Sequence, residues 1–151
     1  MMLAKVLHVL AALIWVGGMF FAYVILRPSS ASALEGPARL GLWAQVLKRF
    51  FAWVWLSIAI LLVSGYWMIF ALGGMRAIGV HVHAMQGLGI VMMLLFAHVY
   101  FAPFKRLVAA VAAQDWPTGA KHLNTVRIVV AINLVIGIIT VAIATGRGFG
   151  F

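Results

Sequence analysis

The segment His8–Pro28, HVLAALIWVGGMFFAYVILRP, decides the fold. No charged side chain stands between Lys5 and Arg27, and one histidine opens a run that ends in Arg-Pro. Crossing a bilayer as a helix takes about 20 apolar residues. This run meets that length. Three further runs match it, and the four are read as helices over 2–26, 43–72, 80–104 and 125–145. Unpaired backbone groups are not tolerated in lipid, and no strand-like alternation is visible, so the spans are helical. Short connections then predict an all-α integral membrane protein, an up-down-up-down four-helix bundle, as one transmembrane domain over 1–151.

Composition agrees. Two thirds of the chain is hydrophobic, and only 9% is charged, far from the balance of a soluble domain. The net charge of +9 does not indicate nucleic acid, because the basic residues sort by loop. Arg27, Arg39, Lys48 and Arg49 lie around the first connection, and Lys105, Arg106, Lys121 and Arg127 around the third. Only Lys5, Arg76 and Arg147 lie on the other side. Eight against three is a positive-inside pattern. It places both termini outside, in the periplasm of a bacterial-type inner membrane, with the basic side facing anionic headgroups. The absence of cysteine removes disulfides, thiolate metal sites and covalent haem attachment. The only acids, Glu35 and Asp115, fall in predicted loops, which rules out a carboxylate relay within the membrane. Ala31–Ala33, ASA, has the look of a signal-peptidase site, but the preceding run is too long, and a retained first helix is expected. RPSSASALEGPARLG reads as a true loop, the third connection is expected to break at Pro117, and the tail GRGFGF to fray.

Histidines carry the candidate chemistry. A gapless shift of 75 residues lays His8 on His83, Val16 on Val91 and Pro28 on Pro103, so the first and third spans look alike. They run in one direction, which puts His8 and His83 at similar depth near the outer face. His83, Gly87, Val91, Leu94 and His98 form one helical stripe, its two histidines about 22 Å apart. His8, Ala12, Trp15, Met19 and Ala22 form another. Each outer histidine is followed a turn later by a small residue, Ala12 or Gly87. Two imidazoles at equal depth with clearance for a flat ring are what a six-coordinate haem iron needs. The leading expectation is therefore haem b between His8 and His83, with Trp15 packed beside it. Copper is the alternative. Copper(I) takes Met and His where Cys is missing, and His81, His83, Met85, Met19 and His8 supply such donors. A second polar level combines His98, Asn133, Tyr23, Arg127 and Arg27, fit for a second haem, propionates or a quinone headgroup, or for a plain interhelical hydrogen bond. Trp43 and Trp116 are expected in the interfacial belt. Gly17, Gly18, Gly65, Gly87, Gly89 and Gly137 are expected to let helices approach.

The pattern H-x6-W-x-G-G-x-x-F of His8–Phe21, followed by Arg27-Pro28, resembles the first helix of the copper-resistance D (CopD) domain family. LNTVRIVVAINLVIGIITVAIATGRG is similar to that family's closing R-x5-N-L-x-x-G helix, here Arg127, Asn133, Leu134 and Gly137. The resemblance implies copper uptake across the inner membrane. The His8 element is also similar to HemJ, the haem b-binding membrane protoporphyrinogen oxidase. That likeness implies His8 and His83 as a histidine pair. The lysine of those proteins is missing, with Gln86 nearest, which tells against porphyrinogen oxidation here.

Three readings follow. A bis-histidine haem protein would transfer electrons, with quinone or a periplasmic redox protein as partner. A copper protein would hold or pass copper, with a periplasmic copper partner. A membrane scaffold or assembly subunit would need neither. Each is compatible with a homo-oligomer.

Overall fold

A computed structural model describes residues 1–146 of the chain; Arg147 and most of the GRGFGF tail lie outside them. Among the described residues all regular structure is helical. The helices are α1 (Met2–Phe20), α2 (Arg27–Ala33), α3 (Gly36–Ala71), α4 (Val80–Val99), α5 (Lys105–Ala112) and α6 (Trp116–Gly146). A π-helical turn, Phe21–Leu26, joins α1 to α2, and another, Tyr100–Phe104, joins α4 to α5. Four continuous rods result, Met2–Ala33, Gly36–Ala71, Val80–Ala112 and Trp116–Gly146, each long and apolar enough to cross a membrane.

The rods outrun the predicted spans, and the reason lies in the prolines. The expected first loop is almost wholly helical. Only Leu34 and Glu35 separate α2 from α3. Pro37 sits in the first turn of α3, where a missing N–H costs nothing, and Pro28 follows a π turn within a continuous rod. The third connection likewise breaks before Pro117, at Ala113–Asp115, where Gln114 adopts a φ of 56°. Pro117 begins the next helix rather than ending the last. Thr118 N–H donates to Asp115 Oδ1 at 3.2 Å, an N-terminal cap that holds the exposed carboxyl below its usual range. That contribution to α6 is present above the unfolded carboxyl's range and is lost as pH falls through the depressed folded value. Pro103 lies inside the second π turn, and the first π turn runs up to Pro28. A wide turn removes the clash between a proline ring and the carbonyl one turn earlier. The two prolines superposed by the 75-residue shift therefore share one backbone device.

α1 packs along α3, and α4 along α6, with α5 folded back on α6. One end of the bundle carries the N terminus and the α3–α4 turn, hereafter the N-terminal end. The other carries the α2–α3 and α5–α6 connections, hereafter the loop end. The N-terminal turn needs glycine, since Gly73 and Gly74 take φ of 102° and 88°. Burial is uneven between the ends. Around the middle, Phe51 packs edge-on against Phe96 at 5.2 Å and Phe104 at 4.9 Å, and Trp15 meets Phe96 at 6.1 Å. Toward the N-terminal end only Ser64 and Ile69 of α3 are buried among the described residues. Trp43, expected at the interface, is buried instead. Its Nε1–H donates to Ser30 Oγ at 3.1 Å, and Ser30 Oγ–H donates to the Arg27 carbonyl at 3.1 Å. This chain straps α2 to α3. Trp43→Phe is expected to lower stability by about 1 kcal/mol in thermal unfolding, one buried hydrogen bond's worth.

Candidate functional site

The His8 side chain lies half-buried against α3, not across the bundle from α4. Two residues of α3 admit it. Gly65 leaves the ring room, since a Cβ there would stand 3.2 Å from His8 Cε1. Ser64 supplies a polar partner, its Oγ 2.9 Å from His8 Nδ1. Ser64 also donates its own proton to the Ile60 carbonyl. A hydroxyl has one proton, so Ser64 Oγ accepts from the ring. Nδ1 therefore carries the hydrogen, and Nε2 keeps a bare lone pair. A hydrogen bond at one ring nitrogen that frees the other is the arrangement that orients metal-binding histidines.

The next residue but one on α3, Tyr66, ties the same level to α4. Gln86 Nε2 donates to Tyr66 Oη at 3.0 Å. Ser64, Gly65 and Tyr66 thus form a hub between α1 and α4. His81 and Met85 are half-buried on α4 near this level, and His83 is exposed. No hydrogen bond or ring contact joins His8 to His83 among the described residues. The structure leaves open space at Gly87, one turn after His83, where a Cβ would meet nothing within 4 Å, and places Ala12 half-buried one turn after His8. One level deeper, the Trp15–Phe96 contact fills the space between α1 and α4. The described residues bring no three His, Asp or Glu side chains together.

The second polar level also separates. His98 is exposed on α4. Asn133, 3% exposed, donates from Nδ2 to the Met92 carbonyl at 3.2 Å, the plain interhelical bond among the expectations. Its Oδ1 has no partner in the structure. Met19 is buried deep in the core beside it, lining the same small cavity. Its sulfur lies well below the His8 level. Tyr23 and Arg127 belong to a different cluster, nearer the loop end, where the Arg27 guanidinium lies 4.9 Å above the Tyr23 ring. Sequence reasoning passed over Ser64 and Tyr66. The signal was present, since S-G-Y is a polar interruption of an otherwise apolar run, and polar groups in a span are seldom idle.

Fold and site together define a multi-pass, all-helical membrane protein of the inner membrane, with a serine-bound histidine at one end of its bundle. The family model for copper resistance protein D matches residues 44–146, and the chain belongs to that family. The match covers α3 to α6, with the Ser64–Tyr66 hub, His81, His83, Met85 and the Arg127/Asn133 helix inside it. α1 with His8 precedes it. No curated protein and no solved structure matches the chain. The likeness to HemJ rests on α1 residues alone.

Proposed function

We propose that the protein is a copper-binding membrane protein that takes monovalent copper at the N-terminal end of its single transmembrane domain. The observation that carries this reading is the His8–Ser64–Ile60 chain, which leaves His8 Nε2 unprotonated at any pH where the ring is neutral. Membership of a family described as copper resistance protein D supports copper as the metal. Imidazole nitrogen and thioether sulfur suit copper(I), and the donors nearest in the fold are His81, His83 and Met85 on α4. The basic asymmetry puts this end on the periplasmic side, with both termini, so copper would be exchanged with a periplasmic partner. The thioether of Met19 would then be a station deeper in the bundle rather than part of the first site. Haem b, the leading expectation from sequence, draws no support from the family.

The test is metal analysis with an optical spectrum on protein purified from cells replete in both copper and haem. Copper near one equivalent, with no Soret band, is the expected result. A Soret band that disappears in His8→Ala would overturn the copper reading in favour of haem. Protein free of both would leave a scaffold.

A further inference from the structure

We infer that Arg27, Arg39 and Arg127 form a binding site for the phosphate of an anionic phospholipid at the loop end of the bundle. The three come from different rods. Arg27 opens α2, Arg39 lies in the first turns of α3, and Arg127 lies on α6. Arg27 and Arg127 nonetheless line one pocket, and Arg39 lies near enough for its charge to act on Arg127. Like charges repel, so their convergence needs a counter-charge. The chain offers none, since Glu35 and Asp115 are its only acids, both exposed, and no ion pair forms among the described residues. Moreover, the Nε atoms of Arg39 and Arg127 are buried and have no hydrogen-bond partner. Burying an unpaired guanidinium N–H is costly. Guanidinium forks match phosphate oxygens in geometry and charge.

A pocket beside the cluster says what kind of phosphate. It is rimmed by Arg27 and Arg127, and below them its walls are apolar, formed by Trp43, Leu47, Phe50 and Val130. A free phosphate would gain nothing from such walls. A phospholipid would set its headgroup on the arginines and the start of an acyl chain against Phe50 and Val130, the half-buried part of that wall. This site is independent of the copper reading, which concerns the opposite end.

The full-length protein in a neutral detergent tests the inference. Its thermal midpoint is followed against dioctanoyl phosphatidylglycerol, dioctanoyl phosphatidylcholine and inorganic phosphate. Phosphatidylglycerol is expected to raise the midpoint in a saturable way, and the other two are not. Arg39→Gln, whose unliganded midpoint reports its folding, should weaken the apparent affinity roughly tenfold or more, as loss of a charge-assisted bond does. The double change Lys48→Gln/Arg49→Gln removes two exposed charges from α3 and should leave the response intact. Equal stabilisation by phosphatidylcholine or by inorganic phosphate would overturn the proposal. So would a full response in Arg39→Gln, or its equal loss in the Lys48/Arg49 control.

Discussion

Replacing His8 with alanine is expected to weaken copper(I) binding on the order of 100-fold, the loss of one direct ligand from a site with few donors. Competition against a coloured copper(I) chelator would read it. The value of the experiment lies in its companion. Ser64→Ala keeps the imidazole but removes the acceptor that fixes the proton on Nδ1. The ring then samples both tautomers and rotates, and affinity should fall on the order of 10-fold, as for other groups that orient a ligand. Gly65→Ala would press on His8 Cε1 from 3.2 Å and should act in the same direction. The order His8→Ala, then Ser64→Ala, separates a ligand from a packing residue. If both variants hold copper as the unaltered protein does, His8 is not a ligand.

Gly18→Ala is expected to destabilise the bundle by about 1–3 kcal/mol, while Gly87→Ala stabilises it slightly, by up to about 1 kcal/mol. Both glycines lie in apolar helices, and helix propensity alone gives them the same sign. The difference is tertiary. A Cβ on Gly18 would strike the Phe50 ring, 2.7 Å from its Cζ, where α1 presses on α3. The ring is stiff and backed by Phe51, so the helices must part. A Cβ on Gly87 meets open space. Gly137→Ala should resemble Gly18→Ala, with Val16 Cγ2 at 2.9 Å and Met92 Cε at 3.1 Å, but more mildly because a methionine tip can yield. Unfolding in mixed detergent would measure all three. Phe50→Leu in the Gly18→Ala background should recover part of the loss. Equal effects at Gly18 and Gly87 would show that the α1–α3 contact is not as close as described.

The largest consequence of the fold for function is where it sends each histidine. His8 goes to Ser64 on the neighbouring rod, His98 to the outer surface, and His83 to an exposed position at the start of α4. The pairing of His8 with His83 followed from equal depth on parallel helices. Depth follows from spacing along parallel helices, whereas facing direction does not. Lipid is as apolar as a bundle core, so an apolar span carries little sign of which side looks inward. The stripes containing His8 and His83 were regular enough to be believed and still did not face each other.

What the sequence determined by itself is the class of protein. Lipid forbids unpaired backbone, so four long apolar runs had to be helices. The R-x5-N-L-x-x-G helix and the segment before it carried the family. What only the tertiary structure decided is the partnering. It continued the helices through Pro28 and Pro103 and began one at Pro37, since a proline's cost depends on where in a turn it falls. It brought Ser64 to His8, and it gathered Arg27, Arg39 and Arg127 from three rods. These contacts join residues far apart in the chain, and in a membrane no hydrophobic pattern announces them. Small residues and single hydrogen bonds choose the neighbours, and those act only once the rods lie side by side.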